Sequence, residues 1–278
     1  MLQNKIDFTV IFTAQRANPN GDPLDGNRPR IDYDGYGEVS DVCLKRKIRN
    51  RLQDFGEPIF VQMDERKDDG FKSLRDRADS IPELKAANKD ADKFAEIACR
   101  EWTDVRSFGQ VFAFKGIDVS VGVRGPVTVQ TAVSAEPIEI TSMQITKSVN
   151  SVTGDKKASD TMGTKHRVDF GVYKFSGSIN VQLAEKTGFS ERDAELIHRA
   201  LITLFENDCS SARPDGSMEV VRVYWWKHNC KSGQYSSAKV HRSVEVNKVS
   251  GDGKRIEDYE IKYTPLDGLE AEIYDDLR

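Results

Sequence analysis

Seven cations cluster near the start of this chain. Arg28 and Arg30 close a loop that runs from Asn18-Pro19-Asn20-Gly21-Asp22-Pro23 to Asp25-Gly26-Asn27-Arg28-Pro29-Arg30, and Lys45, Arg46, Lys47, Arg49 and Arg51 follow just after it. Cations held at fixed positions, helped by backbone amides, bind the phosphates of a nucleic acid without reading its sequence. Two other readings of the loop stay open. Its Asn and Asp oxygens could hold calcium, although the bidentate Glu that ends such a loop is missing, or the segment could be a plain turn from strand to helix. The basic run could likewise be a solvated helix face.

Catalytic constellations are weak by comparison. His166, His198, His228 and His241 show no ligand spacing, and neither a Gly-x-Ser-x-Gly nucleophile elbow nor a P-loop is present. Asp32, Asp34 and Asp41 could bind magnesium for phosphodiester cleavage, but acids beside an Arg-rich loop also serve to orient the arginines. Cys43, Cys99, Cys209 and Cys230 form no C-x-x-C pair, so buried free thiols are expected rather than a zinc site or a disulfide framework. No catalytic residue, metal or cofactor is expected. Asp104 and Arg106 are placed to form an ion pair that locks the segment before them. Met143 and Met162 sit in a polar stretch, where they could pack on each other or wedge between bases. Lys147 and Lys165 are further candidate RNA contacts there.

The elements that position these groups follow from periodicity. Ile6, Phe8, Val10 and Phe12 alternate with Asp7, Thr9, Ile11 and Thr13, predicting a strand with one buried face. Residues 17 to 37 collect Gly, Pro, Asn and Asp and form a long loop. Ser40 caps a helix with Leu44, Ile48, Leu52 and Phe55 on one face, bordered by Lys45 and Arg49 on one side and Lys47 and Arg51 on the other. Residues 57 to 104 hold 13 acidic and nine basic residues, with a helix from Lys89 to Trp102, and read as a polar insertion with a small core of its own. Strand signals return at Ile117, Val119, Val121 and Val123, then at Val127, Val129 and Val133. Glu136 to Lys165 reads as a protruding hairpin. Val168, Phe170 and Val172, then Ile179, Val181 and Leu183, predict further strand. Phe189-Ser190-Glu191-Arg192-Asp193 starts a second helix running to about Glu206, and Val220 to Trp225 is a last clear strand. In the Trp225-Trp226 pair one ring is expected in the core and the other free for contact. The order strand, helix, strand, strand, helix, strand is that of an α+β, ferredoxin-like sheet backed by two helices on one side.

Composition bounds the function. A chain of 278 residues with net charge -4 is not a protein that coats nucleic acid over its whole surface. The charge is uneven: residues 40 to 55 carry five basic and two acidic side chains, residues 251 to 278 four basic and nine acidic. No apolar run approaches the roughly 20 residues needed to span a bilayer, and the first residues alternate instead of forming a signal-peptide core, so a cytoplasmic protein without a membrane partner is expected.

With these residues assembled, the chain resembles the CRISPR-associated backbone subunit (a RAMP protein) of type I Cascade surveillance complexes, closest to subtype I-C. The resemblance is carried by Asn18 to Pro23, Ser40-Asp41-Val42-Cys43-Leu44-Lys45-Arg46-Lys47-Ile48-Arg49, Asp104-Val105-Arg106-Ser107-Phe108-Gly109, Arg124-Gly125-Pro126-Val127 and Ser210-Ser211-Ala212-Arg213-Pro214-Asp215-Gly216, in order along most of the chain. It implies an RRM-like palm at 1–56 and 105–278, a finger region at 57–104 and a thumb hairpin at about 136–166. Copies would stack head to tail on the CRISPR RNA (crRNA), forming a ribonucleoprotein for antiviral defence in which the guide pairs with target DNA. The other partners it implies are the large, small and crRNA 5'-end-capping subunits. Residues 45 to 49 would grip phosphates, with Met143 or Met162 as the wedge that flips a nucleotide. Related type III subunits cut RNA through a loop aspartate, which keeps metal-dependent cleavage as the alternative. No RNP-like aromatic motif is found on a predicted central strand, which argues against base stacking on the sheet.

Overall fold

The alternating residues at the N-terminus form β1 (Ile6–Ala17), and both of its faces are buried from Ile6 to Ala14 rather than one. A computed structural model describes residues 1–114, 120–146 and 162–277. After β1 come β2 (Gly21–Asp22), β3 (Arg28–Pro29), β4 (Tyr36–Val39) and α1 (Asp41–Asp54). The next segment holds α2 (Leu74–Asp79), α3 (Pro82–Ala86), α4 (Ala91–Glu101) and α5 (Thr103–Phe108). Strands β5 (Gly109–Phe112), β6 (Val121–Arg124), β7 (Val127–Val129), β8 (Ala132–Pro137), β9 (Ile140–Thr146) and β10 (Met162–Ile179) follow. Then come α6 (Val181–Thr187), α7 (Glu191–Ile202), β11 (Met218–Lys227), α8 (Ser237–His241), β12 (Val244–Lys248), β13 (Tyr259–Tyr263) and β14 (Ala271–Asp275).

The main sheet is antiparallel in the order β14-β11-β1-β10-β8-β4, with β7 and β9 also paired to β10. Phe8, Val10 and Phe12 point to the face covered by α1 and α7, where they meet Leu44, Ile48, Ala194, Ile197 and Trp225. The opposite face is also covered. Ile11, Val172, Tyr224 and Trp226 pack there against Val240 and Val244, beneath the β12–β13 pair. Trp226 is therefore fully buried and hydrogen-bonds through its indole N–H to Tyr263 Oη at 3.2 Å, so neither ring of the pair is free. The alternation of β11 fixed opposite faces, and what covers the second face comes from residues far along the chain.

Local capping sets both main helices. Ser40 Oγ accepts from Cys43 N at 3.2 Å to start α1. Ser190 and Asp193 form a reciprocal capping box at α7, which ends at Ile202 rather than near Glu206. Val181 and Leu183 are not strand. Asn180 Oδ1 accepts from Leu183 N at 2.8 Å and Gly188 closes the segment in the left-handed conformation, so these residues form α6. Ile117 and Val119 lie outside the described residues.

Phe60, Leu84, Phe94, Ile97 and Trp102 form a second core, which continues into Val105, Phe112 and Val121. Cys99 is buried in it, and burial pushes its thiol up to about 11. The other three cysteines are free but not buried: Cys43 is half-buried, and Cys209 and Cys230 are exposed. A polar cluster on the far face of β1 joins residues that the sequence leaves apart. His228 Nδ1 accepts from Gln234 N at 3.0 Å, so its Nε2–H donates to Asp7 Oδ2 at 2.8 Å. His241 Nε2 is 3.3 Å from Asp7 Oδ1 and Lys5 Nζ is 2.9 Å from Oδ2. Burial alone would raise the Asp7 carboxyl; hydrogen bonds from His228, His241, Ser237 and Lys5 overcome it and hold the group well below the usual carboxylate range. Among the described residues no helix is long and apolar enough to cross a membrane.

Candidate nucleic-acid interface

The loop after β1 is built by its own polar groups. Asn18 Nδ2 donates to Asn27 O at 2.6 Å, and Asn20 Oδ1 accepts from Ser40 N at 2.9 Å, tying the loop to the first turn of α1. Asp22 Oδ1 accepts from Leu24 N at 3.0 Å and Arg30 Nη2 at 3.3 Å. Gly21 has no room for a side chain, because a Cβ there would fall 2.9 Å from the Asn27 backbone oxygen as well as on the Asn27 side chain. Asp32 Oδ1 accepts from Asp34 N and Tyr36 N, both at 2.9 Å, which commits it to a turn. Asp41 pairs with Lys45. Among the described residues no group of three or more His, Cys, Asp or Glu side chains could hold a metal ion.

Most α1 cations are satisfied inside the protein. Lys47 is 3 % exposed and pairs with Asp208, which also accepts from Arg213 Nε at 3.0 Å. Burial pulls the Lys47 ammonium down and Asp208 opposes that shift. Arg49 Nε donates to Asp104 Oδ2 at 3.0 Å, and its guanidinium lies 4.9 Å over the Phe108 ring. Arg46 donates to Val61 O, and Arg51 pairs with Asp54 and Glu206 at 2.6 and 3.0 Å. Lys45 has a partly exposed i,i+4 partner in Asp41 at 3.0 Å, a pairing worth little in water. Asp104 and Arg106 do not pair with each other. Asp104 accepts from Arg49, Phe60 N at 2.7 Å and Val61 N at 3.1 Å, whereas Arg106 reaches Asp193 Oδ1 at 2.9 Å and Cys99 O at 3.1 Å. Residues two apart on a helix lie about 200° apart around its axis, so the two side chains diverge and each finds a partner elsewhere.

The β9–β10 pair presents a different surface. Residues Met162 to Arg167 of β10 pair with β9, and β1 joins only from Val168 onward, so this end of the hairpin extends beyond the central sheet. Met143 opposes Lys165, while Met162 opposes Thr146. The two methionines therefore project from opposite faces and do not pack on each other. Met143, Lys165, Thr141 and Arg167 share one face. Lys165 Nζ donates to Ser211 O at 2.6 Å. On the other face Arg28 Nη1 donates to Ser142 Oγ at 3.3 Å, which bonds His166 Nδ1 at 2.8 Å. Lys147 lies outside the described residues.

At the root of this hairpin, Gln15, Arg16, Thr141, Arg167, Asp169, Phe170 and Lys254 line a groove. Arg16 is exposed, has φ +52° and makes no hydrogen bond or ion pair with the described residues. A non-glycine residue in the left-handed region costs about 1 kcal/mol or more and recurs at functional sites. Arg167 is 3.6 Å from Asp169 Oδ1, and its buried Nε has no hydrogen-bond partner among the described residues. Thr141 donates to Asp169 Oδ2 at 2.7 Å. Sequence reasoning passed over Arg16, Arg167 and Lys254. Arg16 stood out only as a cation at the end of the first alternating run. The groove thus offers one guanidinium without a partner among the described residues and two cations in loose ion pairs, an arrangement in which Arg16 is free to meet a phosphate.

A family model described as CRISPR-associated protein Cas7 matches residues 4–264. A relative from Haloferax volcanii described as CRISPR-associated protein Cas7 is 27 % identical over 287 residues, covering 95 % of this chain and 82 % of the relative. A chain of a solved structure titled CRISPR RNA-guided surveillance complex, pre-nicking, superposes with a TM-score of 0.56 at 17 % identity, covering 91 % of this chain and 83 % of that one. A chain of a second, titled CRISPR RNA-guided surveillance complex, gives 0.50 at 16 % identity, covering 90 % and 77 %. At these identities the two structures speak to the fold: a mixed α/β chain built on a large antiparallel sheet.

Proposed function

The chain belongs to the CRISPR-associated Cas7 family, and on that premise we propose that it is a non-catalytic, cytoplasmic backbone subunit of a type I Cascade complex, closest to subtype I-C. Copies polymerise along the crRNA spacer, hold its phosphates and present its bases to target DNA. Large, small and crRNA 5'-end-capping subunits complete the particle. The observation that carries this reading is the groove at the hairpin root, where Arg16 has no hydrogen-bond or ion-pair partner among the described residues and Arg167 has only a 3.6 Å contact to Asp169.

The fold supports the same reading. Taking β1, α1, β8, β10, α7 and β11 as the core units, the neighbours β11-β1-β10-β8 follow the spatial order of a ferredoxin-like, RRM-like sheet. The β9–β10 hairpin serves as thumb and residues 57 to 104 as fingers, both rooted in the palm. Met143, on the thumb face that carries Arg167, is the better wedge of the two methionines. The turn bonds that occupy Asp32 support a non-catalytic role.

The test is the absorbance ratio and size-exclusion mass of the purified protein before and after ribonuclease and across a salt series. A large particle carrying RNA of discrete length that dissociates at high salt is expected, because phosphate contacts weaken with counterion concentration. A nucleic-acid-free monomer that ignores RNA at low salt would refute the reading.

A further inference from the structure

Along β10 the face turned away from α1 and α7 changes its cover. Val172 is buried beneath β12 and β13. Two residues earlier, on the same face, Phe170 is only half-buried and lines two adjoining grooves. Its ring packs beside that of Tyr259 on β13, with centroids 6.4 Å apart and planes tilted by 40°. Gln15 stands opposite on β1. This is a central strand of the sheet, so the aromatic that the sequence did not betray as part of a motif sits at a gap in the cover, between the buried Val172 and the buried Val168.

The surroundings decide what such a ring would meet. Arg16, Arg167 and Lys254 border the same groove together with Asp169, and the adjoining groove adds Glu136, Glu139, Lys248 and Asp252. Ion pairs hold Arg167 to Asp169 at 3.6 Å, Lys248 to Glu136 at 3.7 Å and Lys254 to Glu139 at 3.4 Å, which leaves Arg16 as the cation without a carboxylate among the described residues. A protein partner's apolar anchor would call for an apolar rim depleted of charge. An aromatic ring on a charged rim beside an unpartnered guanidinium is instead the chemistry that receives an unpaired base, the ring stacking on its π-face and the guanidinium taking the adjacent phosphate.

We propose that Phe170, backed by Tyr259, is a stacking shelf for one unpaired nucleobase, with Arg16 holding the phosphate beside it. The proposal rests on the RNA-binding reading above and adds a base subsite to it. The base comes either from the RNA or from a DNA strand paired with it, since both offer the same stacking surface.

The experiment titrates the full chain onto single-stranded RNA carrying the fluorescent base 2-aminopurine at successive positions, and onto the same RNA paired with DNA that carries the probe instead. Stacking on Phe170 quenches the probe at recurring positions. Quenching in the first arm assigns the shelf to an RNA base, and in the second to a DNA base. Phe170→Leu keeps an apolar side chain against Tyr259, relieves the quenching and weakens binding about fivefold, whereas Phe170→Trp retains both. Unchanged affinity and fluorescence in Phe170→Leu would overturn the shelf and leave RNA binding intact. A wild-type chain that retains no RNA would overturn the shelf and its premise together.

Discussion

Helix α1 carries Lys47 at 3 % exposure against Asp208, Arg49 against Asp104 and Arg51 between Asp54 and Glu206. At the hairpin root, Arg16 has no partner among the described residues and Arg167 has a single loose ion pair, 3.6 Å from Asp169 Oδ1. In sequence the first set is a dense run and the second is two residues 151 positions apart. The density of the run reflects the need to tie α1 to the loop at Asp208, to Asp104 and to the end of α7. Cations spent that way fix the scaffold. A charge left for a ligand is recognised by the partner it lacks, which no composition window measures.

The largest effect expected from breaking this contrast is on α1. Asp104→Ala leaves Arg49 without its carboxylate and the Phe60 and Val61 amides without their acceptor. It should lower stability by about 3 to 5 kcal/mol in urea unfolding; a loss below about 1 kcal/mol would mean that this carboxylate does not hold the scaffold. Acid provides the next test, on the opposite face of the sheet. Because the folded state holds the Asp7 carboxyl below its usual range, its contribution is complete above about pH 4 and fades as pH falls further. Asp7→Asn should lower stability at neutral pH and flatten that acid limb, and an unchanged limb would assign it to other carboxylates.

At the hairpin root the effects fall on binding. Arg16→Ala with Arg167→Ala should weaken single-stranded RNA binding about tenfold and reduce the log–log salt slope by about 1.4, at roughly 0.7 per phosphate contact. Stability should change by no more than about 0.5 kcal/mol for each of these surface substitutions. Wild-type affinity in the pair would remove the distinction between spent and available cations. The smallest effect is expected from Lys45→Ala, where a partly exposed pair with Asp41 is lost; RNA affinity should fall by no more than about threefold. A larger fall than that of the arginine pair would reverse the comparison.

What could be read in advance was local. Ser40 with the Leu44, Ile48 and Leu52 stripe defined α1, and Ser190 with Asp193 defined the start of α7, because caps and helical periodicity act within a few residues. Val181 and Leu183 failed because apolar residues two apart suit a strand, while the Asn180 cap and Gly188 stop of α6 were not weighed against that spacing. The fate of Lys47 depends on Asp208, and that of Asp7 on His228 and His241. Those pairings span most of the chain and carry no periodic signature. The loop and the hairpin were legible as segments; Arg16 and Phe170 were not, since their availability follows from a gap in the cover of the sheet.

The position of β1 in the sheet also sets a timetable for synthesis. It is made before either of its neighbours in the sheet, β10, beginning at Met162, and β11, beginning at Met218. At roughly 5 to 20 residues per second, β1 waits on the order of 10 to 40 s for its second neighbour. Until β10 is made, Phe8, Val10 and Phe12 stand on a strand with neither neighbour, and the synthesis of β11, rather than the folding of any early segment, is the event that lets the sheet close around β1.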